Sequence, residues 1–477
     1  MNRYNIGKAL DKRQSSLEDV KVEVVQDNRN ALWRRTKTSF FGYSRNWKIL
    51  LTVLGVVILL LVILLPVLLL VDLNGKKEPF TDPIDADDAA RYAVVKHNFP
   101  DPTVIEVNNT LYAFATRSGA NASLHVQVAR SALEDVSFWT LSEGYDALPI
   151  LPSWVKSPGD AAVWAPQVNQ RDDGMFVMLF SALHSEHTNK HCLGIATILE
   201  VIGPYTATSQ EPLVCHFELG GIIDPTFLVD PTSNTSYIVY KNDGNAIGSG
   251  GACSNSNWPN TPTTFQYDIL TSNLTESALT SNNGSQAINT VNNSTIFLHN
   301  DCSDGSTIES PFIVHHAYHH HKSGKTKHAY HLLYNSGCFV DSSYRIEHIP
   351  CLLNDTITHF TECPWQELKN SVGSTLLESA SYAQPDNDGK GDAVLFAPGG
   401  PAVSPDGRYL IFHADVVEGW NAGAMKRDAG EVDLEGERWR MRAMFVAEME
   451  YEYDWGKEGE ETMQTGLRVK RLVVPSN

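Results

Sequence analysis

A short unit that recurs five times constrains this fold most: a turn followed by a strand with apolar or aromatic alternation. It reads Asn108-Asn-Thr-Leu-Tyr-Ala-Phe-Ala-Thr116, then Asp173-Gly-Met-Phe-Val-Met-Leu-Phe-Ser181. It returns as Asn234-Thr-Ser-Tyr-Ile-Val-Tyr240, Lys327-His-Ala-Tyr-His-Leu-Leu-Tyr334 and Asp406-Gly-Arg-Tyr-Leu-Ile-Phe-His413. Turn residues before β-branched and aromatic runs mark a hairpin entering a strand. Ahead of each lies a short apolar strand opened by a distinctive residue. These are Asp101-Pro-Thr-Val-Ile105, Trp164-Ala-Pro-Gln-Val168, Asp224-Pro-Thr-Phe-Leu228, Glu309-Ser-Pro-Phe-Ile313 and Pro398-Gly-Gly-Pro-Ala-Val403. No long amphipathic helical pattern separates them. Five such repeats predict an all-β domain, a five-bladed β-propeller over residues 96–477 with a C-terminal extension. The Asn/Ser/Thr-rich stretch 271–295 reads as a decorated loop.

A chain of 477 residues exceeds one ordinary core, which stops growing near roughly 250–300 residues, so segments outside the repeats are expected. Residues 49–71 run for 23 positions without a charge, long enough to cross a bilayer core of about 30 Å. Pro66 is tolerated inside such a helix. A cleaved signal peptide fits poorly, because 48 residues precede the run. That tail carries 11 Lys/Arg against 5 Asp/Glu, with Arg34, Arg35, Lys37, Arg45 and Lys48 at its membrane end. The positive-inside rule places it in the cytoplasm. The expected order is a cytoplasmic tail (1–48), a single transmembrane signal anchor (49–71), a polar acidic stem (72–95) and a lumenal or extracellular propeller.

Glycosylation acceptors agree with that topology: Asn108, Asn121, Asn234, Asn273, Asn283, Asn292, Asn293 and Asn354 all lie beyond the run. So do all seven cysteines: Cys192, Cys215, Cys253, Cys302, Cys338, Cys351 and Cys363. None forms a CxxC pair, so disulfides are expected rather than zinc. The odd count leaves at least one thiol free or paired between chains. The formal net charge of −19 argues against a nucleic-acid binder, which needs a basic face, and against polyanionic ligands.

In a propeller the first strand of each blade lines the central channel, so residues that open those strands converge at one mouth. Asp101, Asp224 and Glu309 are far apart in sequence but meet there. Three carboxylates around one pocket repel, which raises at least one pKa and lets an acid and a base coexist.

These motifs resemble glycoside hydrolase family 43, the inverting arabinofuranosidase, xylosidase and arabinanase family, over roughly residues 98–450. The anchors are the Asp-Pro at Asp101, the Trp-Ala-Pro at Trp164, the Ile-Asp-Pro at Asp224 and the Glu-Ser-Pro at Glu309, in that order. The resemblance implies that Asp101 is the general base that activates water and Glu309 the general acid that protonates the leaving oxygen. Asp224 then orients the acid and keeps it protonated. It also implies a five-bladed propeller acting on O-glycosidic bonds of arabinose- or xylose-containing glycans with inversion. Base and acid in such a site stand about 6.5–9.5 Å apart to admit water. Trp164 is a candidate sugar platform, with a core role favoured, and Arg442 a candidate pocket arginine, with an ion-pair role about equal.

One motif departs from the family. The fifth blade often carries Gly-Pro-Gly-His-Asn, whose His helps hold a channel ion, usually calcium. Here Ala397-Pro-Gly-Gly-Pro401 puts Gly400 in that place, so channel calcium is the one cofactor the resemblance brings and its usual ligand is absent. The histidines His315, His316, His319, His320 and His321 read as a solvated hairpin tip, not a metal site. Two other functions remain in view. One is a fructan-type propeller that retains configuration, disfavoured by Asn98-Phe-Pro-Asp-Pro102. The other is a surface glycan-binding protein that has lost catalysis.

Overall fold

A computed structural model describes residues 91–475, apart from 118–123, 157–162, 188, 271–294, 302, 321–323, 383–391, 417–440 and 456–462. The tail, the apolar run at 49–71 and most of the stem lie outside the described residues. Among the described residues no helix is long and apolar enough to cross a membrane. The asparagines Asn121, Asn273, Asn283, Asn292 and Asn293, the decorated loop and Cys302 also fall outside.

Five antiparallel sheets form the five predicted blades. Their inner strands are Thr103–Val107, Val163–Gln170, Ile222–Asp230, Ile308–His320 and Gly399–Val403. Each is hairpinned to a second strand: Thr110–Ala115, Phe176–Leu183, Thr235–Asn242, Lys325–Ser336 and Tyr409–Val416. Two further strands complete each of the first four blades. A short helix, Trp365–Val372, connects the third and fourth strands of blade IV.

The continuous apolar character of the second strands follows from their position. Each blade is covered on both faces by its neighbours, so both sets of alternating side chains are buried. Phe176, Met178 and Phe180 pack with Phe114 and Val128 of blade I. Their neighbours Val177 and Leu179 pack with Ile222, Ile238 and Tyr240 of blade III. Tyr237 and Val239 face Ile308, Ile313 and Tyr330 of blade IV. Leu333 and Ile346 of blade IV meet Leu410 and Phe412 of blade V. The fifth seam joins Ile411 and Met444 to Leu111 and Ala113 of blade I. Five seams, each with its own apolar cluster, close the ring.

The sequence boundary at residue 96 moves back. Ala93–Val95, read as the end of the stem, pairs antiparallel with Met441–Trp455 as the outer strand of blade V. Val94 and Val95 fill the seam between blades V and I, which is why this stretch is apolar. Three disulfides form: Cys192–Cys215, Cys253–Cys338 and Cys351–Cys363. The second ties the loop after Asn242 to the one after Ser336, both at the same end of the channel.

The histidine-rich segment is also corrected. Ile308–His320 continues as strand for 13 residues, so the turn lies beyond it. His315 and His316 are half-buried instead of solvated. His315 stacks on His328, with Nε2 3.0 Å from its Nδ1. His316 stacks on Tyr451 at 4.1 Å between ring centres. His319 is exposed.

Candidate active site

Every inner strand carries the same kink where it opens. Asp101, Ala165, Asp224, Ser310 and Gly400 all take left-handed backbone, with φ of 50, 42, 54, 53 and 60°. Each is followed by proline. In blades II to V the pairing register slips across this dipeptide, which makes it a bulge. Holding non-glycine residues there costs about 1–3 kcal/mol each, and such strain clusters at functional sites. The kink sharpens the expected equivalence of the three carboxylates. Asp101 and Asp224 occupy the kinked position itself, whereas Glu309 stands one residue before it, in register with Trp164 of blade II and Gly399 of blade V.

A second ring of residues holds the kinks. The second strands present Thr116, Ser181, Lys241, Asn335 and His413 at equivalent places. Thr116 Oγ1 accepts the N–H of Ala165 at 2.8 Å, and Asn335 Oδ1 that of Gly400 at 2.9 Å. His413 Nδ1 accepts the N–H of Asp101 at 3.0 Å. Each thus caps the kink of the next blade. The N–H of Ser310 is capped differently, by Asp224 Oδ2 at 2.9 Å.

Asp101 and Asp224 line one channel, and Glu309 stands close enough for its charge to act on Asp224, but the three environments differ. Asp101 Oδ2 accepts from the Thr116 hydroxyl at 2.6 Å, and Oδ1 lies 3.5 Å from both Arg442 Nη1 and His413 Nδ1. Burial alone would raise Asp101, but the Arg442 guanidinium, His413 and Thr116 outweigh it and hold the carboxyl below its usual value. Asp224 is driven the other way. Burial first, then the Glu309 charge, pushes it up to about 8. Glu309 accepts from Tyr344 Oη at 2.6 Å on Oε1 and from Lys241 Nζ at 3.0 Å on Oε2. Tyr344 is itself pushed well above the tyrosine range by burial, then by Glu309 and Asp101. One carboxylate held ionised beside another held protonated is the pairing acid–base chemistry requires.

Trp164 is half-buried and stacks on His191, with 4.0 Å between ring centres. Arg442 reaches Asp101, and its guanidinium lies 5.7 Å from the Phe339 ring centre. Asp101, Asp224, Ser310 and Gly400, with Gln167 and Phe312, line a solvent-open cavity of roughly 310 Å³. Among the described residues no three His, Cys, Asp or Glu side chains converge as a metal ligand set. At Gly400 a Cβ would lie 2.8 Å from Asp101 Cα and 2.9 Å from His413 Nδ1. The space beyond Gly400 is therefore taken by His413 and the turn that carries Asp101.

Sequence reading had not singled out Lys241, Tyr344, Thr116 or His413. A signal existed for three of them. Thr116 and His413 are the last residues of their repeats, and Lys241 directly follows its own, polar groups ending otherwise apolar strands. Tyr344 lies in the loop before Arg345–Leu352 and has no counterpart in the repeat.

Residues 90–317 match Glycosyl hydrolases family 43, a segment that contains Asp101, Asp224 and Glu309. An extracellular endo-alpha-(1->5)-L-arabinanase of Thermotoga petrophila is 32% identical over 133 residues, 25% of this chain and 25% of that protein. A thermostable family-43 glycoside hydrolase of known structure is 16% identical, covering 83% of this chain and 98% of that one, with a TM-score of 0.49. The endo-1,5-alpha-L-arabinanase structure from T. petrophila is 18% identical over 79% of this chain and 77% of that one, with a TM-score of 0.43. Over its first three blades and the opening strand of the fourth, this chain is similar to glycosyl hydrolases family 43.

Proposed function

We propose that this protein is a family-43 glycoside hydrolase that cleaves O-glycosidic bonds of arabinose- or xylose-containing glycans with inversion. The observation that carries the reading is the opposed electrostatics of Asp101 and Asp224, which line one channel. Asp101, ionised and braced by Thr116, His413 and Arg442, serves as the base that deprotonates the attacking water. Glu309 serves as the acid, held by Tyr344 and Lys241. Proton transfer to the leaving oxygen and water attack at the anomeric carbon then proceed through an oxocarbenium-like transition state. Trp164 offers its open face as a sugar platform backed by His191, and Arg442 orients the base.

The same reading puts the propeller outside the cytosol, anchored by residues 49–71 with the basic tail inside. Three disulfides and the exposed acceptors Asn108, Asn234 and Asn354 support it. The test is a screen of the protein against aryl α-L-arabinofuranosides, β-D-xylosides and galactosides. Release of the aglycone from an arabinofuranoside or xyloside is the expected result. Glycan binding with no release from any of them would make the protein a lectin.

A further inference from the structure

We propose that Lys241 is a positioning residue for Glu309, with Asp243 as its counterweight: together they set how the acid is turned and how readily it parts with its proton. The inference rests on the glycosidase reading above.

Lys241, like Ser181, does not cap a kink of the next blade. Thr116, Asn335 and His413 each accept a backbone N–H of the next blade, but an ammonium has no lone pair to offer. Lys241 reaches instead to the side chain beside the kink, with Nζ 3.0 Å from Glu309 Oε2. The vacated role passes to Asp224, whose Oδ2 takes the Ser310 N–H. One substitution in a repeating pattern thus brings a cation to the acid and fixes the neighbouring carboxyl.

The position is costly. Lys241 has only 1% of its side chain exposed and lies on the face of Thr235–Asn242 that carries Tyr237 and Val239 into the blade III–IV seam. Burying an ammonium costs several kcal/mol unless it is paired, so an apolar residue would suit packing better. Two carboxylates make the charge tolerable: Glu309, and Asp243 Oδ1 at 3.3 Å. A cation facing Glu309 alone would hold it ionised and useless as an acid. Asp243 draws off part of that field. The other groups facing Glu309 are Tyr344 from its own blade, Asp224 from the strand before and Asp101 across the mouth, where His413 and Arg442 offset the last.

The two partners therefore act with opposite sign, which a purely structural staple would not do. The test follows the protonated-carboxyl infrared band of the full chain as pH rises, without substrate, using E309Q and D224N to assign it. The alkaline limb of kcat/KM on the aryl glycoside that the screen identifies gives a second readout. In K241M the band and the limb should move up by about one to two pH units. In D243N both should move down. Thermal melts report folding, and the double variant K241M/D243N, which removes Asp243 together with its cation, should still shift upward by less than K241M. Midpoints unchanged in K241M, or shifted the same way by both single variants, would overturn the inference whatever the substrate. The predicted infrared shifts in a wild-type protein that hydrolyses no glycoside would instead overturn the glycosidase reading and leave the charge device standing.

Discussion

On the proposed reading, single residues of like charge carry separate tasks that composition alone cannot tell apart. If Glu309 is the acid as proposed, Glu309→Gln removes the proton donor but keeps the shape that Lys241 and Tyr344 hold. Rates on substrates with poor leaving groups should fall about 10²–10⁴-fold, while activated aryl glycosides lose far less. Equal losses on both would remove Glu309 from the acid's role. Asp224 gives a prediction about stability. Its carboxyl is raised from 3.8 to about 8, so the fold benefits fully from its protonated form only below pH 3.8 and loses that benefit as pH climbs through 8. Asp224→Asn should therefore gain Tm over wild type, by an amount that grows from pH 4 to 8 and then levels. A gain largest at acid pH would contradict the assignment. The carboxylates themselves were legible in the sequence, because each opens a strand of the repeat. Their environments were not, since Lys241, Tyr344 and Arg442 reach them from other blades or from loops.

At the scale of elements, the kink that opens each inner strand decides where the chemistry sits. Its left-handed residue and following proline recur in all five blades, yet only two of the five carry a carboxylate. Glycine is required at position 400 for a stated reason. Its φ is +60°, and a Cβ would press on Asp101 Cα and the His413 ring. Gly400→Ala should cost about 1–3 kcal/mol in unfolding free energy and depress activity further than that loss explains, because the strain falls on the turn that aims Asp101. Denaturant melts alongside kinetics would check both halves. A stable variant with intact activity would mean that the base is not tied to the fifth blade. The strands were legible as alternating apolar runs after turn residues. The kink's consequence for register was not, because one residue of slip turns a side chain to another face, and only the ladder pairing shows that Glu309 precedes the bulge.

At the scale of the whole molecule, the ring explains why the site lies where five strands begin. Each seam buries its own apolar cluster, and the last is closed by Ala93–Val95. The closing strand escaped a reading by repeats because it belongs to blade V yet comes first in the chain. Specificity was equally out of reach, since loops around the mouth set it and no repeated pattern governs them. The chemistry is more accessible than the specificity, because a base and an acid on opposite sides of the sugar fix the stereochemical outcome. The most direct measurement is the proton NMR spectrum of the sugar first released from an aryl α-L-arabinofuranoside or β-D-xyloside, recorded before mutarotation. The account predicts the inverted anomer, β-arabinofuranose or α-xylose respectively. The retained anomer as first product would contradict it and make one of these carboxylates a nucleophile instead.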